Sequence, residues 1–360
     1  VLATNGWNNH VGSFSGYKKY RAATSSGLSL NDQGVNFEEP RTAVYRYGDW
    51  ILTSFEDYMT DENFSDVVIT LKSNPVDAIT DIPVTNPDED KTSIDFLKGT
   101  YAFEDLWPSQ GDYDMNDIVL TIQKRKIYTN KENKVTKFEL SIDLSAAGAT
   151  KSIGAAIMLD NVPANAITQS VEFSDNTLAK NFNLNNNNIE SGQDYAVIPL
   201  FDDAHKVLGR DRYEQINTVS DYAGNTKPKN ISFSITFNNP TISADAFNVN
   251  NLNVFIIVDG NRNPRKEIHV AGYQPTKLAN TDLFGGNNDN SHHASKKYYI
   301  SKENLAWGIM VPSNFKWPLE YVNIKTAYSQ FSDWVTSGGT ENEKWWNDFD
   351  VNKVFQTNKN

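Results

Sequence analysis

The sequence predicts an all-β protein, an antiparallel β-sandwich or jelly roll with one short amphipathic helix near its C-terminal end. Short runs rich in β-branched and aromatic residues recur along the chain, bounded by Asn, Asp, Gly and Pro. Ile231–Phe237 alternates strictly between apolar and polar residues, which is typical of a strand with one buried face. Ile153–Leu159 and Val254–Val258 are unbroken apolar runs, which favour central strands covered on both faces.

The predicted elements follow from these patterns in chain order. The predicted strands are Ala43–Tyr47, Val67–Leu71, Ile118–Ile122, Phe138–Ile142, Ile153–Leu159, Tyr195–Leu200, Ile231–Phe237 and Val254–Val258. Near the end, apolar residues from Ile324 to Val335 recur at helical spacing, and Gly338 and Gly339 end the run. This pattern predicts one amphipathic helix over residues 324–336, packed against the sandwich.

The chain of 360 residues is long enough for one large domain or two moderate ones. Residues 74–93 contain three prolines and an acidic run, which is typical of a linker. The predicted organisation is a small β region with a degenerate acidic repeat at 1–73, a linker at 74–93, a sandwich domain at 94–346 and a polar tail at 347–360.

Composition excludes several classes of function. The formal charge of −12 and the pI near 4.9 argue against a nucleic-acid partner, because phosphate binding needs a basic face. The absence of cysteine excludes disulfides, thiolate metal sites and a cysteine nucleophile. No apolar run reaches the 18 or so residues of a membrane-spanning helix, so no transmembrane segment is predicted.

The most informative motif is Asp-Tyr-Asp-Met-Asn-Asp at residues 112–117, just before a predicted strand. Asp112, Asp114 and Asn116 have the one-three-five spacing that EF-hand loops use to direct oxygen ligands to one side of a turn. The rest of the EF-hand pattern is missing, because Asp117 stands at position six and Gln123 at position twelve. The remaining ligands must come from elsewhere.

A bound cation would relieve repulsion among these carboxylates if the chain brings them together. The predicted Ca²⁺ ligands are Asp112, Asp114, Asn116, Asp117, Glu104 and Asp105. The alternative is that the side chains cap the turn and point into water. Mg²⁺ fits less well, because nothing in the sequence suggests a substrate phosphate to share it.

An earlier segment repeats the motif in weaker form and favours the metal interpretation. It precedes the predicted strand Val67–Leu71, but Asn63 stands where Asp114 stands in the second copy, so a ligand charge is lost. The residues of this weaker second site are Glu56, Asp57, Asp61, Asn63 and Asp66.

No catalytic motif is evident, and the sequence predicts that the protein is not an enzyme. A hydrolase would need two carboxylates across a cleft, and nothing in the sequence singles out such a pair. A carbohydrate-binding module with exposed tryptophans as stacking platforms is the alternative function, although tryptophan is also ordinary core material. The candidates are Trp107, Trp307, Trp317, Trp345 and Trp346, and the Trp345–Trp346 pair is the one expected to be exposed.

Four blocks of the sequence resemble the family of LruC-domain proteins, also called DUF4842. The blocks are Ala102–Val119, Lys266–Thr276, Leu305–Glu320 and Ala327–Gly339, in the family's order. Residues 1–73 look like the related DUF4114 type of repeat.

This resemblance implies a location more than a function. Proteins of this family are secreted or surface-exposed in Bacteroides-like bacteria and spirochaetes, often with lipoprotein signals, and no enzymatic activity is attached to them. Their Asp-Tyr-Asp-x-Asn-Asp element is the natural place for a bound cation. We therefore expect a non-enzymatic, calcium-stabilised module for adhesion or assembly, secreted or located at the outer-membrane surface or in the periplasm of a Gram-negative bacterium. Its expected partner is an unknown protein or glycan at the cell surface, and a lipid anchor on a preceding segment is expected.

Overall fold

The computed structural model describes residues 42–47, 49–55, 67–72, 74, 91–95, 99–174, 181–260, 265–312 and 315–356. The chain divides into two compact units, Val1–Glu89 and Asp90–Asn360. The division falls inside the segment that the sequence predicts as a linker, residues 74–93.

The first unit contains a small antiparallel sheet of three strands. They are β1 (Thr42–Tyr47), β2 (Trp50–Phe55) and β3 (Val67–Leu71), in the order β1-β2-β3. The sheet is antiparallel throughout, with Tyr47 opposite Trp50 where β1 turns into β2. The two strands predicted in this region are confirmed, and β2, which lies between them, was not predicted.

The second unit contains two antiparallel sheets. Its strands are β4 (Lys91–Asp95), β5 (Thr100–Phe103), β6 (Ile118–Thr129), β7 (Val135–Ala146), β8 (Ile153–Pro163), β9 (Glu172–Phe173), β10 (Tyr195–Phe201), β11 (Lys229–Thr236), β12 (Leu252–Val258), β13 (Lys266–His269) and β14 (Gly308–Val311). The larger sheet has the order β14-β5-β6-β7-β11-β9, with β4 also paired to β6, and the smaller has the order β10-β8-β12-β13. The first residues of β4 fall in the predicted linker, yet this strand is part of the larger sheet.

One buried apolar core is shared by the two sheets, which makes the second unit a β-sandwich as predicted. The unbroken apolar runs are the inner strands β8 and β12 of the smaller sheet. In β8, Ile157 packs into the shared core while its neighbours Ala156 and Met158 join a second, smaller apolar cluster. In β11 only alternate residues are buried, as the alternation in the sequence predicts.

Helices are short in the described part of the chain, and none of them is long and apolar enough to cross a bilayer. Besides α1 (Ala204–Val207), the C-terminal region contains α2 (Ile324–Ala327) and α3 (Phe331–Thr336). The prediction of one helix over 324–336 is therefore wrong. Tyr328 takes an extended conformation because its ring packs between Phe315 and Trp345 and its hydroxyl donates to the Lys316 carbonyl.

The C-terminal region builds an apolar cluster of its own, which we call the C-terminal cluster. Its buried members are Ala102, Tyr113, Met115, Val119, Ala146, Leu305, Ile309, Val311, Phe315, Trp317, Ile324, Ala327, Tyr328, Phe331, Trp345, Val354 and Phe355. The predicted polar tail, residues 347–360, contributes Val354 and Phe355 to this cluster, while several of its described residues, such as Asn347 and Asn352, are exposed. The Phe355 ring stacks on Trp317 with the centroids 5.6 Å apart, and the Phe355 N–H donates to the Trp317 carbonyl.

Candidate metal centre

The acidic turn at residues 112–117 lies between β5 and β6 and has an unusual backbone. Tyr113 and Met115 both adopt positive φ, at 56° and 52°, in the left-handed region that bulky residues rarely occupy. Their side chains are buried in the C-terminal cluster. Apolar and acidic residues therefore alternate along the turn. Tyr113 and Met115 are buried in the core, and the acidic side chains between and beside them lie near Glu104.

Three carboxylates meet at this turn. Glu104, Asp112 and Asp114 each offer an oxygen atom within 4.8 Å of the other two. Glu104 and Asp114 are buried, whereas Asp112 is exposed. The Glu104 Oε1 atom accepts a hydrogen bond of 2.6 Å from the Met115 N–H, but no described residue donates to its Oε2 atom. A fully buried carboxylate oxygen without a protein donor indicates a position suited to a cation or a water molecule.

Carboxylates crowd together at this turn, and burial together with their mutual repulsion disfavours the ionised forms of Glu104, Asp114 and Asp117. Burial, reinforced by Asp117 and Asp114, raises the pKa of Glu104 well above its usual value. Burial and the neighbouring Asp112 raise the pKa of Asp114 to about 7, and burial with Asp105 raises the pKa of Asp117 well above its ordinary range. A divalent cation would reverse these effects, because it stabilises the ionised forms of all the carboxylates around it.

The other predicted ligands, Asp105, Asn116 and Asp117, surround the three carboxylates. The Asp117 Oδ2 atom accepts from the Asp105 N–H at 2.7 Å, and Asp105 pairs with Lys151 at 3.1 Å. Asn116 donates through Nδ2 to the Pro318 carbonyl, while its Oδ1 atom, also buried, has no partner among the described residues. These contacts hold the two ends of the turn in place, and the orphaned Asn116 oxygen is free to serve as a neutral ligand.

A sixth acidic group, Glu320, joins the site from a distant part of the sequence. It is half-buried, and burial together with Asp112 and Asp105 raises its pKa, while a hydrogen bond from Thr218 Oγ1 opposes the rise. The next residue, Tyr321, donates its N–H to Asp114 Oδ2 at 2.8 Å. Sequence reasoning missed Glu320, because it is an isolated acid with no ligand spacing around it, and its position depends on long-range packing.

The residues of the site fit Ca²⁺. They offer oxygen atoms only, several of them charged, with no nitrogen or sulfur ligand within the group of three carboxylates. Two buried oxygen atoms, Glu104 Oε2 and Asn116 Oδ1, have no donor among the described residues, as expected of ligands for a hard cation. The Asx-turn alternative alone gives these two buried atoms no donor from the described residues.

The tryptophans proposed as sugar-stacking platforms are mostly core residues. Trp107, Trp307, Trp317 and Trp345 are each at most 5% exposed, and Trp346 is half-buried. The indole nitrogens of Trp307 and Trp317 donate to backbone carbonyls, at 2.9 and 2.7 Å. The expectation that the Trp345–Trp346 pair is exposed is wrong for Trp345, because its ring lies among Tyr328 and Phe331 in the C-terminal cluster.

Comparisons with known proteins place this sandwich in a family. The profile of a domain of unknown function, DUF4842, matches residues 133–346, well over half of the chain. The chain belongs to the DUF4842 family. No curated protein matches it. A crystal structure of a Bacteroides ovatus protein described as a putative lipoprotein is similar to this DUF4842 chain with a TM-score of 0.60 and 19% identity, covering 86% of this chain and 90% of that chain.

The DUF4842 match covers part of the candidate site. The matched range contains Glu320 and Gly148, which face the turn, but it begins after the turn itself. The similarity to the Bacteroides ovatus structure, at this level of identity, shows a shared fold. The weaker second site predicted at Glu56, Asp57, Asp61, Asn63 and Asp66 lies outside the described residues and stays a prediction, as does the DUF4114-like character of residues 1–73.

Two glycines of this DUF4842 protein make room for the site. A Cβ atom on Gly111 would lie 2.3 Å from Glu104 Oε2, and one on Gly148 would lie 2.4 Å from Asn116 Oδ1. Both of these oxygens are the buried ones without donors. Glycine at these two positions leaves room for the two oxygen atoms. Any larger residue at Gly111 or Gly148 would displace the adjacent oxygen from its position in the site.

Gly111→Ala is expected to weaken Ca²⁺ binding by about tenfold or more, as is typical when a residue supporting a ligand is changed. The added methyl group must displace Glu104 Oε2, and the side chain cannot swing aside freely because it is buried and held by the Met115 N–H. Calorimetric titration of the chelator-treated protein with CaCl₂ measures the change. The matched control is Gly99→Ala, whose Cβ would lie at an ordinary 3.7 Å from Met310 Sδ. Equal affinities for the two variants would contradict the proposed ligand role of Glu104.

Proposed function

We propose that this protein is a non-enzymatic, calcium-stabilised module for adhesion or assembly, located at the surface or in the periplasm of a Gram-negative bacterium. The observation that carries the calcium part is the Glu104 Oε2 atom, which is buried and without a donor among the described residues, inside a group of three carboxylates. The surface location is supported by the likeness to a Bacteroides ovatus protein described as a putative lipoprotein.

The ion would join segments that are far apart in the sequence. Glu104 follows β5, Asp112 and Asp114 belong to the turn before β6, and Asp114 is hydrogen-bonded to Tyr321 more than 200 residues later. The Asn323 side chain also donates to the Asp112 carbonyl, at 2.7 Å. A cation at the turn would therefore fix the larger sheet and the start of the C-terminal region in one arrangement.

The residues that would hold the ion are Glu104, Asp112 and Asp114, with Asn116, Asp117 and Glu320 around them. When bound, Ca²⁺ supplies two positive charges that offset the repulsion among these carboxylates. Binding to the folded state alone would stabilise it by about 3–4 kcal/mol when free calcium is 100 to 1,000 times the Kd. A rigid, ion-locked surface of this kind suits a protein that must keep its shape outside the cell.

The test is thermal unfolding after treatment with a chelator, with Ca²⁺ or Mg²⁺ added back. We expect Ca²⁺ to raise the Tm by several degrees and Mg²⁺ to have little effect, because Mg²⁺ gives up its water less readily and demands a tighter octahedral site. No difference between Ca²⁺ and the chelator would overturn the proposal.

Asp112→Asn with Asp114→Asn is expected to abolish the calcium-dependent rise and, without calcium, to leave the Tm equal to or above that of the parent protein. The second effect follows because the variant removes carboxylate repulsion, while the amide that replaces the Asp114 carboxylate keeps an oxygen acceptor for the Tyr321 N–H. The matched control removes two exposed acids elsewhere, Asp245→Asn with Asp282→Asn, and should keep the full calcium effect. A double variant at residues 112 and 114 that still responds to calcium would contradict the assignment.

A further inference from the structure

The group of three carboxylates is closed on the protein side and open on the solvent side. Glu104 and Asp114 are 0% and 2% exposed, and the orphaned Glu104 Oε2 atom lies inside the group. Asp112, the third member, is exposed. An ion held by these residues would therefore be reachable from solvent past Asp112.

The three carboxylates alone need not fill every coordination position of such an ion. Ca²⁺ takes six to eight oxygen ligands. The three carboxylates have six oxygen atoms, of which Glu104 Oε1 and Asp114 Oδ2 already accept backbone N–H groups at 2.6 and 2.8 Å. Asn116 Oδ1 can supply a further ligand from the protein, and beside the exposed Asp112 an ion can take water or oxygen atoms of another molecule. Neighbouring hydroxyl groups of a sugar are a pair of neutral oxygens that can replace two waters.

An exposed tyrosine, Tyr321, is joined to the site through its backbone N–H. Tyr321 is 74% exposed, its N–H is bonded to Asp114, and its hydroxyl accepts from Gln215 Nε2 at 3.1 Å. Its φ of 62° is in the left-handed region, which costs a non-glycine residue about 1–2 kcal/mol. The ring offers an apolar face and Gln215 a polar group, the combination that orients small ligands.

The charge around the opening selects among ligands. Six carboxylates belong to the site, namely Glu104, Asp105, Asp112, Asp114, Asp117 and Glu320. The positive charges nearby are the two charges of the ion and those of two lysines. Lys151 donates to Asp105 Oδ1, and Lys266 donates to the Asp105 carbonyl. With the carboxylates ionised around the ion, the sum is negative, so anionic ligands are repelled and neutral polyhydroxylated ones are favoured.

We propose that this protein binds neutral glycans in a calcium-dependent manner, with neighbouring sugar hydroxyls on the ion beside Asp112 and an apolar sugar face against Tyr321. This inference rests on the proposed function, since it requires the calcium site, and it names the ligand class through which an adhesion module would act. Tyr321 sets the orientation of the sugar, and Gln215 fixes the position of the Tyr321 ring.

The experiment passes the full chain over agarose carrying mannose, fucose, galactose or N-acetylglucosamine, in CaCl₂ and then in chelator. We expect retention on at least one of these resins in calcium and release by the chelator. Tyr321→Gly removes the ring while keeping the backbone N–H that donates to Asp114, so it should lose retention. The matched control is Tyr195→Ala, which removes an exposed tyrosine at the start of β10 and should be retained like the parent protein.

The outcomes separate this inference from the proposed function. A calcium-dependent rise in Tm without retention on any of the four resins would overturn glycan binding and leave the calcium site standing. Retention that persists in chelator, or that survives Tyr321→Gly unchanged, would overturn the assigned mode of binding. No calcium-dependent rise in Tm would overturn the proposed function, and retention that needs no calcium would then point to a different site.

Discussion

Replacing Arg265 with methionine is expected to lower the free energy of unfolding by about 3–5 kcal/mol. Its guanidinium lies between two carboxylates that are at most 1% exposed. The Nη2 atom donates to Glu190 Oε2 at 3.0 Å, and the Nε atom lies 2.6 Å from Glu267 Oε1. Methionine keeps much of the apolar volume but leaves two buried negative charges without their cation, and that uncompensated charge is the source of the large cost.

A matched control for this variant is Lys277→Met, twelve residues further along the chain. The Lys277 ammonium pairs with Asp194 at 2.7 Å, but both side chains are more than half exposed. Solvent-exposed pairs contribute roughly 0–1 kcal/mol, so the control should change stability little. Urea unfolding of both variants gives the comparison, and a loss for Arg265→Met as small as that for the control would mean that the buried pairs do not stabilise the fold.

The cost of Arg265→Met should shrink as the pH falls. In the parent protein, burial raises the pKa of Glu267, but hydrogen bonding from His269 and the charge of Arg265 outweigh burial and lower this pKa overall. The stabilisation contributed by ionised Glu267 is therefore present at neutral pH and lost in acid. In the variant the same carboxylate lacks its cation, and burial raises its pKa. The variant therefore gains stability as the pH falls towards the unfolded pKa of about 4.3, while the parent gains none.

The strands were predictable because local patterns decide them. One buried face is indicated by the alternation of Ile231–Phe237, and two buried faces are indicated by the unbroken runs Ile153–Leu159 and Val254–Val258. The strands β11, β8 and β12 are buried in this way. The prediction of one helix over 324–336 was wrong because tertiary packing, not the local pattern, decides the structure there. The spacing is helical throughout, but packing of Tyr328 against Phe315 and Trp345 outweighs local preference and breaks the helix in two.

Most residues of the candidate site could be predicted from the sequence, and Glu320 and Tyr321 could not. Asp112 and Asp114 share a turn, and Glu104 lies close enough in sequence to be suggested as a partner. Glu320 and Tyr321 reach the same place only through the fold, because the segment after Pro318 returns to the turn by long-range hydrogen bonds. No spacing rule connects residues about 200 positions apart, so the solvent-facing part of the site follows only from the three-dimensional structure.

Trp345→Ala is expected to destabilise the protein by about 3–5 kcal/mol, the cost of removing a buried tryptophan from a packed core. The ring is 2% exposed and lies 4.7 Å from Phe331 and 5.1 Å from Tyr328, centroid to centroid. Collapse around the cavity is limited because these neighbours are themselves held by the C-terminal cluster. Trp346→Ala is the control, since its half-buried ring meets Trp345 at an edge and should cost much less. Similar losses in urea unfolding for the two variants would contradict the burial of Trp345.

The same variant should also weaken the calcium effect, which an isolated core defect would not do. Tyr113 and Met115, the two left-handed residues of the acidic turn, are anchored in the cluster that contains Trp345. If the cluster loosens, the backbone strain at these residues is no longer held, and the turn loses the conformation that brings Asp114 to Glu104. Calorimetric titration with CaCl₂ should then show weaker binding for Trp345→Ala and unchanged binding for Trp346→Ala. Equal calcium affinity in both would mean that Glu104 and the backbone hydrogen bond from Tyr321 to Asp114 are enough to shape the turn without the core beneath it.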